Sequence, residues 1–201
     1  RRARAIACEL RHPARCCGVL AQAEDNKRTA MAEPVAKSVF QVDAFSDPVV
    51  VRITGRASFQ NCSCLRDFVA EILRQGKSRF VLDFQKCESM DSTFLGVLAG
   101  VALDLKRRPG GGSIVLARMA PRNLELVRNL GLHRLLTIGA GELPSVPQSE
   151  GGKLLDCRVQ TELEQARLVL EAHENLVEAD ESNRAKFQDV LAFLKSRVAE
   201  G

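Results

Sequence analysis

The stretch Met90-Asp91-Ser92-Thr93-Phe94-Leu95-Gly96-Val97-Leu98 lies near the middle of the chain and decides the fold. It follows an apolar run, Phe80 to Phe84, that is typical of a strand, and it leads into an apolar helical run from Leu95 to Leu105. Short polar side chains at such a junction are natural helix N-caps, because their oxygens accept the unpaired N–H groups of the first turn. The Ser92 and Thr93 hydroxyls would also lie at the positive end of a helix dipole, where a phosphate is electrostatically tolerated. The stretch therefore predicts a strand end, a helix start and a modification site.

The residues before this stretch predict two strands and a helix. Residues 39–45 alternate between apolar and polar, Asp47-Pro48 turns the chain, and the β-branched run 49–54 follows. So short a connection predicts an antiparallel hairpin. Apolar residues between Cys64 and Leu73 recur at helical spacing, and Gly76 is placed to end that helix.

The residues after the stretch predict alternating helices and strands. A helix from about 93 to 107 is broken by the Pro-Gly-Gly-Gly sequence at 109–112. A buried strand at 113–117, a helix at 121–129 and a last strand at 135–138 follow. The order β-β-α-β-α-β-α-β predicts an α/β domain with a mixed sheet flanked by helices.

The C-terminal quarter predicts a linker and a helical hairpin. Residues 141–152 contain two prolines and are typical of a linker. Apolar positions in 159–177 and again in 187–198 each follow one helix face, so residues 153–201 predict a hairpin of two helices. That hairpin folds on itself, packs on the sheet domain or pairs with another copy as a homo-oligomer, and the sequence leaves these alternatives open. His173 lies on its apolar face, where packing is a better explanation than metal binding.

The N-terminal residues 1–34 show no sustained helical or strand period and are rich in Arg and Ala. Because Met31 opens a string typical of a translation start, we expect a disordered or non-native extension here. The alternative is a basic arm for an acidic partner, or a targeting peptide. The α/β domain would then cover residues 35–140.

Composition excludes several classes of function. Aromatic residues make up 4% of the chain, with no Trp or Tyr, and the net charge is +4, so we expect no nucleic-acid partner. No apolar run reaches the roughly 20 residues of a membrane span. We therefore expect a cytoplasmic protein without a membrane span.

Cysteine spacing predicts neither a metal site nor a disulfide. The seven cysteines show no paired CxxC spacing: Cys8, Cys16, Cys17, Cys62, Cys64, Cys87 and Cys157. A structural metal needs a second half-site of His or Cys at ligand spacing, which is missing from the sequence. We expect reduced thiols in a cytosolic protein, no metal and no cofactor.

The predicted α/β domain, from about residue 39 to 138, resembles a STAS domain of the bacterial anti-sigma factor antagonists. The resemblance rests on Ile53-Thr54-Gly55 after the second strand, the strand 80–84, the Met90–Gly96 stretch, and Gly131-Leu132 before the last strand. It covers the whole predicted domain in the family's element order. The implied fold is a STAS-type mixed sheet flanked by helices, here with a C-terminal helical hairpin.

The resemblance also implies a function and its residues. In family members that act as phospho-switches, the Ser after the Asp is phosphorylated by the anti-sigma factor, a Ser/Thr kinase with a histidine-kinase-like ATPase fold. The unphosphorylated form binds that kinase, and a PP2C-type phosphatase restores it. By this resemblance Ser92 is the phosphorylation site, with Thr93 less favoured. The implied partner-binding residues are Gly55, Ser58, Asp91, Ser92, Thr93, Phe94 and Leu95.

The chain departs from the family pattern at two positions. Phe94 stands where the family commonly has Gly, and it either faces the core or reshapes the partner surface. Ser58 stands where the loop after the second strand often carries an acidic residue. Both positions therefore bear on how the chain recognises a kinase.

Two other classes of function remain as alternatives. One is a non-switching STAS module, an accessory subunit of a lipid-transport ABC system or a scaffold in a signalling assembly. The other is an enzyme with Ser92 as nucleophile. Ser92 has no Gly-x-Ser-x-Gly surroundings, and the glycines at 110–112 follow a helix instead of preceding one, so we expect no catalysis.

Overall fold

The structure is a computed structural model that describes residues 39–139 and 152–200. The predicted N-terminal extension, residues 1–34, lies outside the described residues. So does the predicted linker, residues 141–152, except for its last residue. The predictions for these two segments stay predictions.

The described residues form six strands and five α-helices. In chain order they are β1 (Phe40–Asp43), β2 (Val49–Ala57), α1 (Cys62–Arg74), β3 (Arg79–Met90), α2 (Ser92–Arg107), β4 (Ser113–Ala117), α3 (Pro121–Asn129), β5 (Thr137–Ile138), β6 (Lys153–Leu154), α4 (Glu162–Ala179) and α5 (Asn183–Ala199), with a short 3₁₀ helix, Leu132–Arg134, before β5. This order confirms the α/β domain and the helical pair at its C-terminal side. None of the helices just named is long and apolar enough to cross a membrane.

All six strands form one mixed sheet in the order β5-β4-β3-β2-β1-β6. β1 is antiparallel to β2, which confirms the predicted hairpin, whereas β2, β3, β4 and β5 are parallel. β3 does not end near Phe84 as its apolar run predicted, but continues to Met90, because its polar second half still pairs with β2 as far as Ala57. This long pairing brings the loop after β2 beside the start of α2.

The core lies between one face of the sheet and the helices. Alternate residues of the three central strands pack there against α1 and α2, and they are all at most 4% exposed: Val49, Val51, Ile53, Phe80, Leu82, Phe84, Ile114 and Leu116. α1 contributes a single apolar stripe that includes Leu65, Val69 and Ile72. α2 is different, since every residue from Thr93 to Ala99 is buried.

The segment after the predicted linker corrects two predictions. Residues 153–161 were assigned to the helical hairpin, but Lys153 and Leu154 form β6 and pair with the edge strand β1. Two residues are too few to show a strand period in sequence. Cys64 of α1 and Cys157 form a disulfide with a Cα–Cα distance of 5.1 Å, so the expectation of reduced thiols is wrong for this pair. We call residues 155–161, which run past α1 to the start of α4, the crossing segment.

The helical hairpin packs on the sheet domain, which answers one of the alternatives left open by the sequence. At its turn, the fully buried Asn183 donates its side-chain amide to the carbonyls of Leu130 (3.0 Å) and Leu176 (2.9 Å). Lys186 donates to the Asn129 carbonyl at 2.8 Å. The turn of the hairpin is therefore anchored to the end of α3, while α4 lies on α2.

Candidate functional site

Asp91 is the residue that caps α2. Its backbone is extended (φ −108°, ψ 174°), and one carboxylate oxygen accepts the Phe94 N–H at 2.9 Å. The second oxygen accepts the Phe59 N–H, also at 2.9 Å, so the same carboxylate ties the loop after β2 to the helix start. An N-cap of this kind contributes about 0.5–2 kcal/mol of stability. Because Asp91 satisfies the helix, the Ser92 hydroxyl is not needed for capping.

Ser92 is the first residue of α2, and its hydroxyl contacts the C-terminal hairpin. Ser92 is half-buried, and its Oγ lies 3.1 Å from Nε2 of His173 in α4. The other ring nitrogen, Nδ1, lies 2.7 Å from the carbonyl oxygen of Val169. A carbonyl only accepts, so Nδ1 carries the hydrogen, and in the neutral imidazole Nε2 accepts the hydroxyl proton of Ser92. His173 is 4% exposed, which places this hydrogen bond at the edge of a packed interface.

The rest of the interface between α2 and α4 is built on small residues. A Cβ added at Gly96 would overlap the backbone carbonyl of Ala172, and one added at Gly100 would overlap the side-chain amide of Asn175. The two glycines are four residues apart and share one helix face, so the two helix backbones approach closely there. We call this face of α2, from Ser92 past Gly96 and Gly100, the α2 groove.

Charged pairs flank the α2 groove on both sides. Arg66 of α1 pairs with Glu171 at 3.3 Å, and Arg107 at the end of α2 pairs with Glu178. All four side chains are at least one-third exposed, so solvent screens these pairs and each contributes at most about 1 kcal/mol. Their value lies in orientation, because the cations are on the sheet domain and the anions are on α4.

The structure separates the predicted partner-binding residues into two groups. Gly55, Asp91 and Ser92 are partly exposed. The other four are at most 4% exposed: Ser58, Thr93, Phe94 and Leu95. The side chains of these four face the interior in this structure, and their role in partner binding stays a prediction. Thr93 is also less exposed than Ser92.

Phe94 faces the core, which decides between its two predicted orientations. It is fully buried, its ring is stacked with that of Phe40 at a centroid distance of 6.1 Å, and it meets the edge of Phe84 at 6.3 Å. The ring fills the space below the first turn of α2, where a glycine would leave a void. The bulky residue therefore strengthens the core without altering the outer surface.

Two buried thiols near the site are unreactive. Burial, assisted by the charge of Asp91, raises the pKa of the Cys62 thiol to about 12. Burial likewise raises the pKa of the Cys87 thiol to about 11. Both groups stay protonated at neutral pH, and a protonated thiol is a poor nucleophile.

Sequence reasoning missed the contact between Ser92 and His173 and the groove that creates it. One signal was present, since the run from Thr93 to Ala102 carries no charged residue and contains two glycines four apart. A helix that is apolar on all sides must be buried on all sides, and small residues at this spacing let a second helix approach. The identity of that second helix was not encoded in any local pattern.

Comparison with known proteins agrees with the geometry of residues 40–137. This segment, just under half of the chain, matches the family model described as "Mlab, STAS domain". No curated protein matches the chain. Among solved structures, the anti-sigma factor antagonist SpoIIAA in its unphosphorylated form is similar, with 20% identity and a TM-score of 0.43 over 51% of this chain and 89% of that one. The Bacillus cell fate determinant SpoIIAA in its phosphorylated form gives 20% identity and a TM-score of 0.42 over 50% and 90% of the two chains.

The family model and the observed features coincide at the same elements. The matched residues begin at β1 and end in β5, and they include the long β3, the Asp91 cap and Ser92. The segment from β6 to α5 lies outside the match. Residues 40–137 are thus the part of the chain that matches the STAS domain family model.

Proposed function

We propose that the chain is an anti-sigma factor antagonist. Its unphosphorylated form binds an anti-sigma factor kinase, and phosphorylation of Ser92 releases that kinase. The partners are then a Ser/Thr kinase with a histidine-kinase-like ATPase fold and a PP2C-type phosphatase that restores the hydroxyl. The protein acts by contact and carries out no catalysis of its own.

One observation carries this proposal: Asp91 caps α2, so the Ser92 hydroxyl at the helix start has no capping role. The two roles that compete for hydroxyls at such a junction, capping and modification, are divided between neighbouring residues. A phosphate on Ser92 would lie at the positive end of α2, a favourable term of about 0.3–1 kcal/mol at an exposed site. The Asp91 carboxylate beside it opposes the added charge.

The size of the effect on a partner follows from charge burial. A phosphoryl group adds about −1.5 to −2 charges. If the partner covers the start of α2, burying that charge without a counter-ion costs about 2–5 kcal/mol. This corresponds to a roughly thirty-fold to few thousand-fold loss of affinity. The free-energy cost of burying the phosphate in the interface exceeds the favourable interaction of the phosphate with the helix dipole. Phosphorylation therefore releases the partner.

The test is intact-mass analysis after incubation with a cognate anti-sigma factor kinase and ATP. We expect the wild type to gain the mass of one phosphate and the Ser92→Ala variant to gain none. A Thr93→Ser variant is the matched control, because its hydroxyl stays in the buried position and the gain should remain a single phosphate. A wild type that gains no phosphate in the presence of a kinase that binds it would refute the switch.

The alternative is a non-switching accessory or scaffold subunit of a lipid-transport ABC system or a signalling assembly. The contact of Ser92 with the buried His173 favours this alternative, because a permanently covered hydroxyl would never be phosphorylated. Co-purification separates the two functions. A kinase-fold partner supports the antagonist, and a transporter ATPase bound equally by wild type and Ser92→Asp supports the accessory subunit.

A further inference from the structure

We propose that the α2 groove is a helix-binding surface, that α4 is its internal ligand, and that a partner reaches Ser92 only by displacing α4. The external partner that fits is an acidic helix with a small residue where it crosses α2. This inference rests on the proposed function for the identity of the site, but it adds a masking element and the chemistry of the competing helix.

The shape of the groove specifies the small residue. Gly96 meets Ala172 and Gly100 meets Asn175 so closely that a Cβ on either glycine would overlap α4. On the partner side of such a crossing, only a small side chain fits opposite Gly96. Leu168 and Leu176, which are at most 1% exposed, pack one turn to either side of Ala172. The groove thus selects the pattern of a leucine, a small residue and a leucine at four-residue spacing.

Charge specifies the acidic character of the ligand. Arg66 and Arg107 flank the groove and face Glu171 and Glu178 on α4. Helix α4 carries four other charged residues, of which three are acidic: Glu162, Glu164, Arg167 and Glu174. The acidic Asp180 follows directly after the helix. Complementary charges of this kind steer association and orient a ligand more than they add affinity. A basic helix would meet repulsion from both arginines.

The same contact masks the modification site. The Ser92 hydroxyl donates to His173, and His173 is held by the Val169 carbonyl and by an edge contact with the Phe187 ring at 4.8 Å. A kinase must bring a phosphoryl donor to the oxygen that His173 contacts. A bound phosphate would also need the space that the imidazole occupies. Access to Ser92 therefore depends on the position of α4.

The boundaries of the family match indicate that α4 can be displaced without unfolding the sheet domain. The matched segment ends in β5, so the sheet, α1, α2 and α3 are complete before α4 begins. α4 adds to a helix whose inner face is already fixed by Phe94 and Leu98. Lifting α4 exposes the α2 groove without removing a strand from the sheet.

The first experiment uses a fluorescent peptide of residues 161–180 as the probe for the groove. We expect little binding to the wild type and binding at least about tenfold tighter to the Ala172→Leu variant, whose own α4 no longer fits against Gly96. Arg167→Leu, which adds the same side chain at an exposed position of α4, is the matched control and should behave like wild type. A peptide that itself carries Ala172→Leu should not bind.

A kinase-free second measurement tests the masking of Ser92. In a Ser92→Cys background, alkylation of residue 92 by iodoacetamide, followed by peptide mapping, should be roughly tenfold faster with Ala172→Leu than without it. The buried Cys62 reports whether the core stays closed. Where Ala172→Leu does not fold, His173→Ala removes the same contact without adding volume. Alkylation of residue 92 should again be faster with the substitution than without it, by a smaller factor.

The outcomes separate this inference from the proposed function. Equal alkylation rates with and without α4 displaced, or a peptide that binds the opened chain no better than a scrambled peptide, would overturn the inference. If the opened chain instead forms a dimer by exchanging α4, the claim that the groove binds a helix of another protein would be overturned. If peptide binding and alkylation follow the expected order but no kinase phosphorylates even the opened chain, the proposed function fails and the masked groove stands.

Discussion

Helices α1 and α2 both follow a strand of the parallel part of the sheet, yet the outer surface of α1 is exposed to solvent and that of α2 is covered by α4. α1 buries one stripe and exposes Asp67, Ala70 and Arg74 on the other side. α2 is buried on its inner face by the sheet and on its outer face by α4. The C-terminal region is joined to α1 by the disulfide at Cys64 and by the ion pair between Arg66 and Glu171, whereas it covers α2 along the length of a helix. α1 therefore packs mainly within the sheet domain, whereas α2 also forms the interface with the C-terminal hairpin.

The difference shows which outer surface of this sheet domain gains stability when an added segment covers it. An amphipathic helix such as α1 has satisfied its apolar residues within the domain, so an added segment gains little by covering it. α2 keeps apolar residues and glycines on its outside, and leaving them in water forgoes roughly 25 cal/mol for each Å² of apolar surface. The appended hairpin satisfies that surface. The comparison can be tested on the shared inner face, on the covalent bond and on the start of α4.

The largest loss of stability is expected from a change on the inner face of α2. Both α1 and α2 pack this kind of face against the sheet, and the fold depends on that packing. Phe94→Ala should lower the free energy of unfolding by about 3–5 kcal/mol, because it removes a fully buried ring that packs on Phe40 and Phe84. Denaturant unfolding measures the change. Phe45→Ala is the control, since Phe45 is 97% exposed, and it should change stability by less than about 0.5 kcal/mol. A Phe94→Ala chain as stable as wild type would contradict the inward orientation.

The next effect concerns the covalent bond to α1. Replacing both cysteines, Cys64→Ser with Cys157→Ser, should lower the free energy of unfolding by about 2–4 kcal/mol, because the bond closes a loop between residues 93 positions apart in the unfolded chain. Denaturant unfolding with and without reductant measures it. Reductant should bring the wild type down to the level of the double variant and leave the variant unchanged. A wild type insensitive to reductant would show that the bond contributes nothing.

The smallest effect is expected at the start of α4, where the crossing segment ends. The guanidinium of Arg158 and the backbone N–H of Thr161 lower the pKa of Glu164 to about 2. A carboxyl whose folded pKa is lowered stabilises the fold above its unfolded pKa, near 4.5, and loses that contribution as the pH falls toward 2. The protection of the amides in the first turn of α4, measured as the exchange rate relative to the intrinsic rate at each pH, should therefore decrease over this pH range. Glu164→Gln should remove the pH dependence, and an unchanged profile in that variant would contradict the assignment.

The sequence predicted the fold because its signals are local. The alternation in β1, the apolar run of β3 and the glycines after α1 and α3 each act within a few residues. β6 escaped prediction because two residues show no period and gain their strand conformation from the edge of β1. The Cys64–Cys157 bond escaped because spacing in sequence says little about two residues brought together by the crossing segment.

The candidate site was predicted in part for the same reason. Asp91 and Ser92 were identified from the junction they occupy, although the sequence did not assign the cap to one of them. His173 was placed on an apolar face, and it is indeed packed, but its contact with Ser92 depends on how α4 crosses α2. Such a crossing is set by the fit of Gly96 and Gly100 to a distant helix, and no window of sequence contains both partners.

The late position of α4 in the chain has a consequence for the protein during its synthesis. About forty residues separate the end of β5 from the end of α4. At roughly 5–20 residues per second, a ribosome takes about 2–8 s to make them. For that interval each nascent molecule has its first five strands and an uncovered α2 groove, and β6 is added before α4. Newly made chains are thus a population distinct from mature ones, and a helix that competes poorly with the tethered α4 has its best opportunity while the cover is still being translated.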